Sequence, residues 1–184
     1  MKHLFRLAAA LCLFGPAMAM ADESTAPAPL RTIALPAPLD PPGLHVVVFL
    51  SARCPCSASH ERELNAMTEE YRSRGVRFLG VHANADESEQ EMRAHFAKAP
   101  LQFPWREDAT GAWVKAFGAV KTPHAYLIDE RGHVFYEGGV TGSHVASTAT
   151  DRPLRDAIEA KLGGKPIERP RARTLGCAIA RQRS

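Results

Sequence analysis

Apolar positions along this chain fall into two rhythms. His45-Val46-Val47-Val48-Phe49-Leu50 is a short, nearly continuous run rich in β-branched residues. It predicts a strand buried on both faces, as in parallel sheets. Val76-Arg77-Phe78-Leu79-Gly80-Val81 predicts a second strand and Ala125-Tyr126-Leu127-Ile128 a third. The turn Asp129-Glu130-Arg131-Gly132 leads into the alternating His133-Val134-Phe135-Tyr136, so strands three and four read as a hairpin. Between these runs the spacing becomes helical. Ser57 to Arg74 places Leu64, Met67 and Tyr71 on one side, and Gly75 supplies a stop. Glu87 to Lys98, Thr110 to Phe117 and Arg152 to Leu162 predict three further helices. The order strand, helix, strand, helix, hairpin, helix implies an α/β domain whose mixed sheet has parallel strands and an antiparallel edge.

The ends of the chain lack these rhythms. Lys2 and Arg6 precede the apolar run Leu7 to Phe14, and Ala17-Met18-Ala19 or Ala19-Met20-Ala21 offers a small-residue cleavage site. This is the pattern of a cleaved secretory signal peptide over residues 1–21; its apolar run is too short to span a bilayer as a stable anchor, so no membrane anchor is expected after cleavage. A Pro-rich stretch over 22–43 reads as an extended tether. The folded domain is then expected at 44–165, and a Pro- and Arg-rich tail, 166–184, carries Cys177.

The composition, 45% hydrophobic and 23% charged residues over 184 positions, fits one packed domain. A net charge of +3 with scattered basic residues gives no reason to expect a nucleic-acid partner. Export changes the reading of the cysteines. Cys12 leaves with the signal, and Cys54, Cys56 and Cys177 remain in an oxidising periplasm. An odd number of thiols suits a protein that exchanges disulfides.

Cys54 stands between a buried strand and a helix. The unpaired N–H groups of a helix start favour thiolate over thiol, Arg53 is adjacent, and Pro55 suits the first helical turn. Cys54 is therefore expected to be nucleophilic. Cys56 lies one residue beyond Pro55, so a Cys54–Cys56 disulfide would be strained. Three roles stay open for Cys56: resolving Cys54, binding a soft metal with it, or neither.

Val47-Val48-Phe49 followed by Cys54-Pro55-Cys56-Ser57 resembles the active-site strand and loop of thioredoxin-like redoxins, in particular the peroxiredoxin-like branch with a Cys-Pro-x-Ser loop. Arg74 to Val81, Thr122 to Asp129 and Gly176-Cys177 resemble that branch too, so the likeness runs from about Leu44 to Ala178. It implies a thioredoxin-like fold, a central mixed sheet with helices on both faces. It also implies that Cys54 is the attacking thiol, that Pro123 follows a cis peptide bond beside the reactive sulfur, and that Thr122 offers its backbone to a substrate chain. Ser51 falls on the hydroxyl position of peroxiredoxins. Arg53 stands where thioredoxins have Trp, and Val47 where peroxiredoxins have Pro.

The expected activity is thiol-disulfide oxidoreduction or peroxide reduction through Cys54, resolved by Cys56 or Cys177. The substrates are protein disulfides or peroxides, the electron donor is an unidentified thiol, and no cofactor is required. A second class is a copper(I) chaperone using Cys54, Cys56 and His124, since soft thiolates with imidazole suit that ion. It resembles the Sco type, whose cysteines are spaced more widely. A third class is a non-catalytic binding module. His124, next to Pro123, is expected near Cys54. His60 is expected to be exposed, Trp105 and Trp113 to pack in the core, and Pro104 to Asp108 to contribute to a groove rim.

Overall fold

The computed structural model describes residues 28–181, so the signal peptide expected over residues 1–21 and Cys12 lie outside the described residues. Strand β2 (Leu44–Leu50) runs through the middle of the sheet, parallel to β3 (Val76–His82) and antiparallel to β6 (His124–Asp129). Short β4 (Trp105–Glu107) extends the sheet beyond β3. On the other side β7 (His133–Gly138) forms the expected hairpin with β6, and β1 (Arg31–Thr32) lies outermost. The order is β1-β7-β6-β2-β3-β4, a mixed sheet.

Both faces of β2 are buried, which explains its lack of alternation. Val46, Val48 and Leu50 face α1 (Pro55–Arg72), α2 (Glu89–Lys98) and α4 (Pro153–Leu162) through Leu64, Met67, Tyr71, Met92, Phe96, Leu154 and Ile158. Val47 and Phe49 face the opposite way, with Tyr126 and Ile128, against Trp113 and Phe117 of α3 (Ala112–Phe117). Helices cover both faces, and the fold is thioredoxin-like.

Three expectations change. Residues 31–42 do not run free. Arg31 and Thr32 pair with Val134 and His133, Leu39 is buried, and Ile33 and Leu35 pack on the α3 face. Proline excludes this stretch from a sheet interior but not from an edge, and Gly132 makes room: a Cβ there would lie 2.1 Å from the Ile33 carbonyl oxygen.

The tail is also tied down. Glu137 N–H donates to Pro170 O and Ala172 N–H to Glu137 O. Farther on, β8 (Cys177–Ala178) pairs antiparallel with β5 (Lys121–Thr122), and Ile179 is buried on the α3 face.

The third change is His60, which is buried rather than exposed. Its ring bonds to Cys56 O at 2.7 Å and to Thr141 Oγ1 at 2.8 Å. It belongs to the same stripe as Leu64, Met67 and Tyr71, at helical spacing.

Candidate active site

β2 ends at Leu50, and the chain crosses Ser51 to Arg53 before Cys54 takes the N-cap of α1, with Pro55 in the first turn. No acidic side chain lies in that turn to neutralise the positive end of the helix. Cys54 is 1% exposed. Its thiol donates to the Thr122 carbonyl at 3.1 Å, and Cys177 N–H reaches its sulfur at 3.4 Å. Burial by itself pushes the thiol up. The neighbouring Cys177 thiol, Ser57 N–H, the Thr122 hydroxyl and Cys177 N–H together outweigh it, so Cys54 lies below an ordinary cysteine.

The other thiols shift the opposite way. Burial and then the Cys54 charge push Cys56 up to about 11, and its Sγ donates to Leu175 O at 3.5 Å. Cys177 is raised chiefly by its hydrogen bond to Cys54, then by burial. The surroundings thus lower one thiol, Cys54, and raise the other two. Among the described residues no disulfide joins Cys54, Cys56 and Cys177.

Beneath the loop lies a buried carboxylate that sequence reasoning missed. Glu87 Oε1 accepts from Ser51 Oγ at 2.5 Å, while Oε2 accepts from Ala52 N–H at 2.8 Å and contacts His82 Nε2 at 2.9 Å. Ser51 Oγ in turn accepts from Cys54 N–H at 3.0 Å and Arg53 N–H at 3.2 Å. Glu87 thus holds the Cys54 backbone through one intervening hydroxyl. Burial pushes Glu87 up, but His82, Ser51 and Ala52 bring it below the usual carboxylate range. The only local signal was its place before Ser88, the N-cap of α2, which marks a helix start and not a brace.

The remaining predicted residues fall as follows. Thr122 and Pro123 are joined by a cis peptide bond, and the Thr122 carbonyl meets Cys54. Ser51 is buried, its hydroxyl committed to the loop. Arg53 points to α2 and pairs with Glu91 at 2.5 Å, away from the sulfur. Asp108 Oδ atoms accept from Trp113 and Val114 N–H, capping α3, and Trp113 is a core residue. Trp105 is partly buried against the α1 face. His124 is not beside Cys54. It follows Pro123 onto β6, opposite Phe49, and its ring bonds to Tyr126 Oη at 3.2 Å on the α3 face. Among the described residues no group of three His, Cys, Asp or Glu side chains is placed to hold a metal ion, so Cys54, Cys56 and His124 do not form the copper site that adjacency suggested.

Burial lowers His124 to about 4 and also lowers His45 and His60. In the unfolded chain these rings accept protons near pH 6.5, whereas the folded chain resists them. Stability is thus full above about pH 6.5 and falls as pH drops toward 4. At pH 5 His124 alone should remove about 2 kcal/mol. Urea unfolding at pH 7.5 and pH 5 checks this; equal midpoints would contradict it.

The Redoxin family model matches residues 32–151. The chain belongs to the Redoxin family. Thiol-disulfide oxidoreductase ResA of Bacillus thuringiensis subsp. konkukian (strain 97-27) is 30% identical to this redoxin over 80 residues, 42% of this chain and 45% of that protein. The redoxin thus spans under half the length of that curated relative. A solved structure of an uncharacterized conserved protein from Geobacillus kaustophilus superposes with a TM-score of 0.68 at 25% identity, over 77% of this chain and 78% of the other. A candidate thiol:disulfide interchange protein DsbE from Chlorobium tepidum gives a TM-score of 0.53 at 24% identity, covering 66% and 81% of the two chains. These likenesses support the fold, and no helix among the described residues is long and apolar enough to cross a membrane.

Proposed function

We propose that this redoxin is an exported thiol-disulfide oxidoreductase in which Cys54 attacks and Cys177 resolves. The observation that carries the reading is the apposition at the N-cap of α1: a buried, acid-shifted Cys54 whose sulfur receives the backbone N–H of Cys177. Cys54 thiolate attacks one sulfur of a substrate disulfide, forming a mixed disulfide and releasing the other substrate sulfur as thiolate. Cys177 thiolate then attacks the Cys54 sulfur, forming Cys54–Cys177 and releasing the second substrate thiolate. A dithiol reductant returns both cysteines to thiols. The main cause that keeps Cys177 protonated is Cys54 itself, and it vanishes once Cys54 is held in a mixed disulfide. Cys56 is the weaker resolver. Its thiol is held high, and closure over one intervening residue is strained. The N-terminal signal pattern supports export to the periplasm, where disulfides persist.

Peptide mapping of the oxidised, alkylated mature protein tests this. A Cys54–Cys177 bond with alkylated Cys56 is expected, and Cys177→Ser should accumulate a mixed disulfide at Cys54. A Cys54–Cys56 bond would overturn the choice of resolver.

A further inference from the structure

The tail does more than deliver a thiol. β5 is two residues long and lies directly over the reactive sulfur, with the Thr122 carbonyl 3.1 Å from Cys54 Sγ. A protein disulfide presented to Cys54 as an extended segment needs the free backbone of this short strand, because buried main-chain groups must find partners. The chain already fills that edge with its own residues: Thr122 pairs with Cys177 and Lys121 with Ala178.

The fit is specific. Gly176 has φ 130°, and a Cβ there would stand 1.9 Å from the Thr122 carbonyl oxygen and 3.4 Å from Cys56 Sγ. Beyond the cysteine, Ile179 enters the α3-face core and its N–H donates to Val120 O. Ala180 bonds on both sides, N–H to Asn84 Oδ1 and carbonyl to Ala85 N–H.

We propose that the segment Leu175 to Ala180 is an intramolecular stand-in for the substrate, occupying the β5 edge so that a partner protein must displace it to reach Cys54. Resting on the reading above, this names the substrate class. The site takes an extended segment with a glycine before its cysteine and an apolar residue two positions after it, as in Gly176-Cys177-Ala178-Ile179. It also couples two events. Tail and substrate use one edge, so the returning tail presents Cys177 and expels the reduced product in the same movement. Between turnovers the tail closes Cys54 to bulk thiols.

The test uses the mature chain with Cys56→Ser and Cys177→Ser, leaving Cys54 as its single thiol. Iodoacetamide alkylation is followed against pH. Two further variants unseat the tail: Gly176→Val, and a chain ending at Arg173. Each should raise the limiting alkylation rate at high pH by at least about tenfold, since the docked strand must otherwise open for every reaction. A synthetic peptide of residues 172–181 with Cys177→Ser should restore protection to the shortened chain, and the same peptide carrying Gly176→Val should not. Unchanged limiting rates in both variants, or equal protection by both peptides, would overturn the stand-in. The proposed function is read separately, in a chain with Cys56→Ser that keeps Cys177, from the pH midpoint of alkylation at the Cys54 peptide resolved by mass spectrometry, because the Cys177 thiol is the leading cause that lowers Cys54. A midpoint at or above that of an ordinary cysteine removes the thiolate mechanism, whatever the limiting rates show.

Discussion

Cys54→Ser should abolish disulfide turnover, lowering kcat/KM at least about a thousandfold. The effect is this large because no other thiol is equipped to replace it. Cys56, two residues on, is held up chiefly by burial, which the substitution leaves in place, and Cys177 belongs to β8 and not to the start of a helix. A serine hydroxyl at the same N-cap would not ionise near neutral pH, so the geometry would survive and the nucleophile would not. Reduction of a disulfide-bonded protein substrate, driven by dithiothreitol, is the assay. A variant retaining a substantial fraction of the rate would sink the account, because the electron flow would have to begin elsewhere. Cys56→Ser should keep turnover within about tenfold of the parent, since Cys56 neither attacks nor resolves in this scheme.

Glu87→Ala should be the most destabilising single change near the site, costing about 3 to 5 kcal/mol. The Glu87 side chain is 4% exposed and holds Ser51 Oγ, Ala52 N–H and His82 together. Truncation would leave those donors buried without their acceptor. Glu87→Gln, which keeps one carbonyl oxygen, should cost less. The folded carboxyl lies below its unfolded value, so its contribution is fully present above about pH 4.5 and is lost as pH falls through the lower folded value. Urea unfolding at pH 7 checks the size. A loss under about 1 kcal/mol would mean that the loop is held by something other than this carboxylate.

The elements that were readable in advance share a local cause. β2 was legible because five consecutive apolar residues from Val46 to Leu50 suit only a strand covered on both faces. α1 was legible from the spacing of Leu64, Met67 and Tyr71 and from Pro55 at its start, and the β6–β7 hairpin from the turn that ends at Gly132. The placement of Cys54 followed from the order of these neighbours. His60 could have been placed as well, since it falls on the α1 stripe, but its polarity argued for solvent while the structure supplied two partners.

What stayed hidden depends on backbone groups and on residues distant in sequence. Strand pairing at β5 and β8 uses N–H and C=O groups common to every residue, so Cys177 in a tail without hydrophobic rhythm carried no sign that it would meet Thr122. Arg31 and Thr32 joined the sheet for the same reason, between prolines that argued for a free tether. His124 was read as a neighbour of Cys54 because adjacency to Pro123 is a statement about Cα positions. The alternation of β6 turned its ring to the opposite face. The sequence by itself determined a buried strand, a cysteine at a helix start and a mixed α/β sheet, because periodicity and capping act over a few residues. Only the tertiary structure decided which thiol faces Cys54, which carboxylate braces it and what covers it, because those are contacts across 36 to 123 positions of chain that no local pattern encodes.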